Sequence, residues 1–332
     1  MVRDDVLQVL EQHRGELVSG GMLARELSVS RTAIWKAISA LRDEGFPIES
    51  VAGGGYRLSS DSDALSSAGI ALELTTQSIG QSLDVFSEID STNNYLKQHA
   101  SELHHGHTVV ADCQTAGRGR RGRSFHSPSG SGVYVSILLH PDLPLEQINL
   151  ITVGAAVAIS HAIEQTASFT PSIKWVNDVL MHGRKLCGIL TEASVEAETG
   201  ALGYAIVGIG INVRTPADGL PEDIRGIAGS LEDFAPHPVR RNALVAAFLN
   251  QMERCYQLIA DGNTAQLMEE YRSYMHFLGQ EIRVIANGVS EPARALSIND
   301  RGHLIVEKNG KTETVFAGEI SIRLDEQTDL PK

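Results

Sequence analysis

Apolar positions in the first part of the chain recur at helical spacing. Val6, Leu7, Val9 and Leu10 predict a helix over Asp4–His13. Ser19 stands where it can cap a second helix, Gly20–Leu27, and Ser30 where it can cap a third running to about Asp43. On the third, Ala33, Ile34, Ala37, Ile38 and Leu41 share one face. Two helices joined by Ser-Val-Ser predict a helix-turn-helix, and Phe46–Leu58 predicts two strands around Gly53-Gly54-Gly55, the wing of a winged helix. The alternative is a three-helix interaction domain. Seven basic and eight acidic residues up to Leu58 leave this region at −1, which is no strong basic footprint. Arg31, Thr32, Trp35, Lys36 and Arg42 nevertheless lie off the apolar face of the third helix, where a groove-reading element needs them, and are the candidate DNA-binding residues.

Ser59–Ala68, small and polar, reads as a linker. Beyond it the period alternates. Leu83–Ile89, His107–Cys113 and Gly132–Leu139 predict strands, and Leu145–Ile163 a buried helix. Ser172–Val176, Val179–Met181, Lys185–Glu192 and Tyr204–Val213 predict further strands, with His182-Gly183 as a hairpin turn. Arg240–Leu258 and Thr264–Phe277 are amphipathic helices. Glu281–Leu324 holds five short strand candidates punctuated by Asn-Gly and Arg-Gly turns, which suggests a small all-β barrel. The expected class is multidomain α+β: a winged helix-turn-helix at 1–60, a linker at 61–82, a central α/β domain with a mixed sheet at 83–277, and a small SH3-like β-barrel at 278–325.

Composition narrows the function classes. There is no secretory start, and the apolar run Gln147–Ile163 is short for a membrane span and contains His161. Cys113, Cys187 and Cys255 form no C-x-x-C pair, which argues for a reducing cytoplasm and against a disulfide framework or zinc site. His104, His105 and His107 lack further metal-type ligands at matching spacing and read as a solvated loop, so no metal site is assigned. A net charge of −13 disfavours non-specific nucleic-acid binding over the whole surface.

Against that acidic background, Gly117–Arg123 sets four arginines among three glycines. Gly117, Gly119 and Gly122 match G-x-G-x-x-G, but the chain continues Arg-Ser-Phe-His-Ser-Pro and not into the helix that a dinucleotide site requires. No P-loop motif occurs either. Apolar strands flank the loop on both sides, which excludes a nucleic-acid tail. Glycines let backbone N–H groups approach a phosphate, and arginines add bidentate contacts. Without a ligand the four guanidiniums repel one another and bury nothing, so the loop is expected to be mobile and ordered by an anion.

Other polar groups fall at strand ends. Ser-Thr-Asn, Ser91–Asn93, opens a helix, with Ser91 as its expected cap; Lys174–Asp178 ends in Asn177 and Asp178; Arg184–Glu192 begins with Lys185; and Gly208–Asn212 ends in an amide. Taken singly each is weak, since a strand-initial lysine is usually a solvated edge. In this order, STN, QTAGRGRRGR, KWxND, RKLxGILxE, GIGxN and a terminal GEISxR resemble the biotin–protein ligase family. With the winged helix in front, the chain resembles the bifunctional form, ligase plus biotin operon repressor, over about Val6–Arg323. It departs from many relatives in having Val176 in place of proline and Phe125 in place of tryptophan.

The resemblance implies activation of biotin by ATP, with Mg2+, to biotinyl-5′-AMP. Transfer follows to a lysine of the biotin carboxyl carrier protein of acetyl-CoA carboxylase. It implies that Arg118 and Arg120 close over the acyl phosphate and that Lys185 points between the biotin carboxylate and the α-phosphate. Ser91, Thr92, Asn93, Gln114, Gly117, Gly119 and Gly188 join them around biotin; Arg121, Phe125, Asn177, Asp178, Asn212 and Arg323 lie near the nucleotide. Asp178 is also a candidate to help hold magnesium or to deprotonate the acceptor lysine. A homodimer formed on the adenylate would present two winged helices to operator DNA, in the cytoplasm and with no membrane partner. The alternatives are a lipoate–protein ligase, which labelled lipoate would reveal, and a non-catalytic ligand-sensing regulator, which would not need Lys185 for adenylate formation.

Overall fold

Ser19 and Ser30 each accept a backbone N–H, from Met22 at 3.0 Å and from Ala33 at 3.1 Å, and so fix where two helices begin. The computed structural model describes residues 2–195, 202–286, 289–316 and 318–321. It divides into two compact units: the chain up to Leu74 together with Arg240–Ala246, and Thr75–Val239 together with the chain from Ala247 onward.

The first unit holds α1 (Val2–Gln12), α2 (Gly20–Glu26) and α3 (Arg31–Asp43), then β1 (Ile48–Val51) and β2 (Gly55–Leu58), an antiparallel wing. Ile34, Ala37, Ile38 and Leu41 of α3 close a core with Leu7, Leu10 and Leu23. The wing depends on Gly55, whose φ is +132° and where a Cβ would stand 2.1 Å from the Val18 carbonyl oxygen. The stretch expected as a linker is in part structured. Ser67–Ala71 forms a short helix, α4, capped by Ser66. The hydroxyl of Ser66 donates to the buried Glu11, and Arg241 pairs with Asp63 at 2.8 Å.

The second unit is built on β3 (Leu83–Phe86), α5 (Thr92–His99), β4 (Thr108–Ala111), β5 (Gly132–Leu139), α6 (Ile148–Ala167), β6 (Ser172–Lys174), β7 (Asp178–Met181), β8 (Arg184–Val195) and β9 (Leu202–Asn212). The seven strands form one mixed sheet in the order β3-β4-β5-β9-β8-β7-β6. Only the β3–β4 pair among them is parallel. The expected turn at His182-Gly183 is present, both residues at positive φ (48° and 77°) as a two-residue hairpin demands. α6 is long and apolar enough to cross a membrane by composition, but it is mostly buried and packs on this sheet as a core helix. α7 (Arg241–Ala260) and α8 (Thr264–Ser273) follow.

Two expectations are corrected. The histidine-rich stretch is not merely solvated: His107 is buried, bonded to Ser82 Oγ at 2.8 Å and to Asp84 Oδ2 at 3.0 Å. The C-terminal piece does give five strands, β10 (Glu281–Ala286), β11 (Val289–Ile298), β12 (Leu304–Lys308), β13 (Lys311–Val315) and β14 (Glu319–Ser321), as an antiparallel sheet in the order β13-β12-β11-β10-β14. Among the described residues no ladder joins β13 to β14, so the expected barrel is not closed. The three-residue β14 pairs along β10 alone.

Three helices are tied by one carboxylate. Glu270 of α8 accepts from Arg254 of α7 at 2.6 and 3.0 Å and meets His161 Nε2 of α6 at 3.0 Å. Burial alone would raise its pKa; the hydrogen bonds from Arg254 and His161 outweigh that and hold it at about 2. A carboxyl depressed on folding contributes stability above its ordinary value and loses it as pH falls. E270Q is therefore expected to cost about 2 kcal/mol at pH 7. It should also flatten the loss of stability between about pH 4.5 and 2, measured by urea unfolding across that range.

Candidate functional site

Three glycines open a cleft on one face of the central sheet. Gly208 and Gly210 alternate along β9, and Gly188 of β8 pairs across from Gly210, so all three share that face. A Cβ at Gly208 would stand 2.1 Å from Asn93 Oδ1, and one at Gly210 would stand 2.4 Å from the Phe125 ring. The cleft encloses about 460 Å³ of empty space, part of it open to solvent.

Lys185 reaches this cleft through a bulge. Val179 pairs with Cys187 and Leu180 with Lys185, which leaves Leu186 as an extra residue. Strand alternation alone would put Lys185 beside the buried Cys187. The bulge turns it to the glycine face, where Nζ lies 2.7 Å from Asp178 Oδ1 and 6.0 Å from the centre of the Phe125 ring. The contact with Asp178 is an ion pair without hydrogen-bond alignment.

The glycine–arginine segment is a tight hairpin. Phe125 N–H donates to Gly117 O at 2.9 Å, Arg118 bridges Ser124, and Gly119 N–H donates to Arg123 O at 2.7 Å. A Cβ at Gly117 would stand 2.4 Å from Phe125 O, so that residue serves the hairpin's own closure. The tip turns through Arg121 and Gly122, at φ +56° and +75°, and Arg121 is exposed there and does not line the cleft. Without a ligand, two of the arginines are held by protein partners and not left to repel one another. Arg118 Nη1 donates to Asn94 Oδ1 at 3.0 Å and pairs with Glu192 at 3.1 Å; Arg120 Nη1 donates to Asn177 Oδ1 at 2.7 Å. Protein acceptors stand where solvent was expected.

At the far end of the cleft, Ser91, Thr92 and Asn93 lead into α5 and are buried. Ser91 occupies the N-cap position but makes no side-chain cap; the Thr92 N–H, first of the helix, donates to Gln114 Oε1 at 2.9 Å. Gln114 Nε2 donates to Ser127 Oγ at 3.1 Å, which donates to Phe125 O at 2.9 Å. Two residues that sequence reasoning missed hold the other side. Ser136 Oγ lies 2.6 Å from both Thr92 Oγ1 and Asn93 Oδ1, and Glu192 Oε2 accepts from Asn93 Nδ2 at 2.9 Å. A serine inside the apolar strand Gly132–Leu139 was the available signal for the first.

The cleft thus gathers Ser91, Thr92, Asn93, Gln114, Arg118, Gly119, Arg120, Phe125, Asn177, Lys185 and Gly188. Asn212 lines a second hollow of about 250 Å³, with His126, Arg214 and Ser230. Its amide donates to Gly229 O at 3.0 Å and Lys185 O at 3.3 Å. Arg323 lies outside the described residues. In the first unit, Arg31, Thr32, Trp35 and Lys36 are exposed on α3, Trp35 to 60 %. Arg42 also braces the wing, donating to Ile48 O at 2.7 Å and Ser50 Oγ at 2.8 Å.

Residues 85–212 match the Biotin/lipoate A/B protein ligase family, and residues 2–57 match a family described as HTH domain. The Bifunctional ligase/repressor BirA of Bacillus subtilis (strain 168) is 35% identical over 324 residues, 97% of this chain and 98% of that one. The protein of the same description from Escherichia coli (strain K12) is 30% identical over 317 residues, 94% and 95% of the two chains. The solved biotin protein ligase from Aquifex aeolicus in complex with biotin and ATP superposes with a TM-score of 0.63 at 28% identity, covering 73% of this chain and 99% of that one.

The glycine face predicts a graded response to added methyl groups. G208A and G210A meet a buried amide and an aromatic ring, and each should cost about 1–3 kcal/mol in thermal unfolding. G188A meets mainly the flexible end of Lys185, 3.0 Å away, and should stay within about 0.5 kcal/mol of the parent while displacing the ammonium.

Proposed function

The chain belongs to the biotin–protein ligase family in its bifunctional ligase/repressor form, and from that premise we propose that this cleft makes biotinyl-5′-AMP from biotin and ATP. The observation that carries the reading is the bulge-directed Lys185 facing Arg118 and Arg120 above the glycines of β8 and β9. Biotin's carboxylate attacks the α-phosphorus and pyrophosphate leaves. Two anions are pressed together before the bond forms, and fixed cations in a water-poor cleft lower that repulsion and stabilise the charge that develops. Lys185, a compact charge with three donors, serves the carboxylate and the phosphate together. The hairpin from Gly117 to Phe125 covers the mixed anhydride against water. The amine of a carrier-protein lysine then attacks the acyl carbon and AMP leaves.

Biotin's ring lies towards Ser91, Thr92, Asn93 and Gln114, beside Gly188. The nucleotide lies towards Phe125, Asn177, Asp178 and the hollow by Asn212, with Arg121 and Arg323 as further contacts to it. ATP brings Mg2+ on its phosphates, for which one protein carboxylate, Asp178, suffices; the ion adds charge neutralisation at the phosphates. Phe125 takes the place of a larger aromatic against the adenine, and Val176 keeps its carbonyl on the Tyr271 hydroxyl at 3.1 Å. The acceptor is the biotin carboxyl carrier protein of acetyl-CoA carboxylase, and the protein works in the cytoplasm.

Repression follows from the same intermediate. The adenylate orders loops that form a homodimer, and the dimer presents two winged helices to operator DNA through Arg31, Thr32, Trp35 and Lys36. Arg42 supports this by holding the wing. The stretch up to Leu58, at −1, has little non-specific attraction for DNA, so specific binding requires both heads.

Biotin is expected to drive exchange of labelled pyrophosphate into ATP, with lipoate inactive in parallel, and K185A to slow that exchange by about 10²–10³-fold. Exchange with lipoate alone would replace the substrate. No exchange with either would leave a ligand-sensing regulator. Operator affinity, measured by fluorescence anisotropy, should rise about 5–150-fold when biotin and ATP are both present. Equal affinity with and without them would refute the coupling.

A further inference from the structure

We infer that Glu192 is a positioning residue that sets the hydrogen-bond polarity of the cleft and thereby selects a ligand that donates N–H groups. The inference rests on the biotin reading above and extends it to a residue outside the reacting groups.

Glu192 lies on β8, on the same face as Gly188 and Leu190. Its ionised carboxylate can only accept. It therefore draws the amide nitrogen of Asn93 towards it, at 2.9 Å, and turns Asn93 Oδ1 towards Ser136 Oγ, at 2.6 Å. Ser136 is fully buried and owns one hydroxyl hydrogen, yet it stands 2.6 Å from two oxygens, Asn93 Oδ1 and Thr92 Oγ1. Both short contacts are hydrogen bonds only if Ser136 donates to Asn93 and Thr92 donates to Ser136. The opposite choice would press two lone pairs together at 2.6 Å in a dry site.

The other end of the chain agrees. Gln114 Oε1 already receives the Thr92 N–H at 2.9 Å, and the hydroxyl of Thr92 can donate to it only at the longer distance of 3.1 Å, so this is the bond given up when Thr92 donates to Ser136. Gln114 Oε1 does not need that hydrogen. With its hydrogen turned inward to Ser136, Thr92 Oγ1 offers only lone pairs to whatever lies in the cleft. A cyclic urea has N–H groups to give them. A dithiolane ring has none, and it would leave the oxygen buried and unpaired.

The same carboxylate also pairs with Arg118 of the hairpin, at 3.1 Å. One residue therefore orients the polar end of the cleft and anchors the loop that covers it. Glutamine at this position is nearly isosteric but both donates and accepts, so it releases the orientation of Asn93.

The test is calorimetric binding and pyrophosphate exchange on the full chain with biotin, desthiobiotin and lipoate. The proteins are the parent, E192Q, S136A and the double variant. E192Q is expected to weaken biotin and desthiobiotin alike by about tenfold, raising KM for biotin. The preference for biotin over lipoate should narrow by a similar factor. S136A breaks the same relay, so the double variant should be no worse than the poorer single one. Unchanged biotin affinity in E192Q, a fall in saturated rate without a change in KM, or additive losses in the double variant would each overturn the inference. A parent protein that binds no biotin would instead overturn the functional reading, and the inference with it.

Discussion

The cleft exists because two paired strands carry glycine at three neighbouring positions of one face, Gly188, Gly208 and Gly210. At Gly208 the nearest foreign atom to a would-be Cβ is a buried amide oxygen, 2.1 Å away; at Gly210 it is the Phe125 ring, 2.4 Å away. Everything that lines the cleft comes down onto bare backbone: the start of α5 at one end, the hairpin at the other. The close approach lets hydroxyl, amide and guanidinium groups from elements far apart in sequence stand within hydrogen-bond reach of one another.

Charge is arranged on that frame with little surplus. Arg118, Arg120 and Lys185 face Asp178 and Glu192, with Asn94 and Asn177 accepting from the two guanidiniums. Cations held by partners are already in place when an anion arrives and need little reordering to meet it. A chain at −13 can in this way present local positive charge to a phosphate without becoming a general binder of polyanions.

Helices and strands were legible where local chemistry decides them. Two serines cap α2 and α3 as their positions imply, and the strand candidates of the central domain all appear. The ordered motifs also led to most of the residues that meet in the cleft. What the sequence withheld depends on register and on distant partners. Nothing local reveals that Leu186 is a bulge, yet without it Lys185 would share the core face with Cys187. Ser91 stands at the cap position but makes no side-chain cap, and the first helical N–H, that of Thr92, is met by Gln114 from another part of the chain. Arg42, read as a groove contact, also holds Ile48 and Ser50 of the wing, which come later in the chain. Glu192 stood inside a recognised motif without a role, because its partners, Asn93 and Arg118, come from other parts of the chain.

Selectivity and protection of a reactive intermediate have one physical origin here. A relay of hydroxyls and amides can hold a single polarity only where water is excluded, since a water molecule donates and accepts and would let either orientation persist. Ser136, Thr92, Asn93 and Ser127 are all buried, so the relay keeps the direction imposed by the carboxylate at one end and by the backbone at the other. The same exclusion of water slows hydrolysis of an acyl phosphate held alongside. Widening the cleft would therefore weaken both together: a pocket loose enough to accept a ring without N–H groups would also admit the solvent that destroys the product.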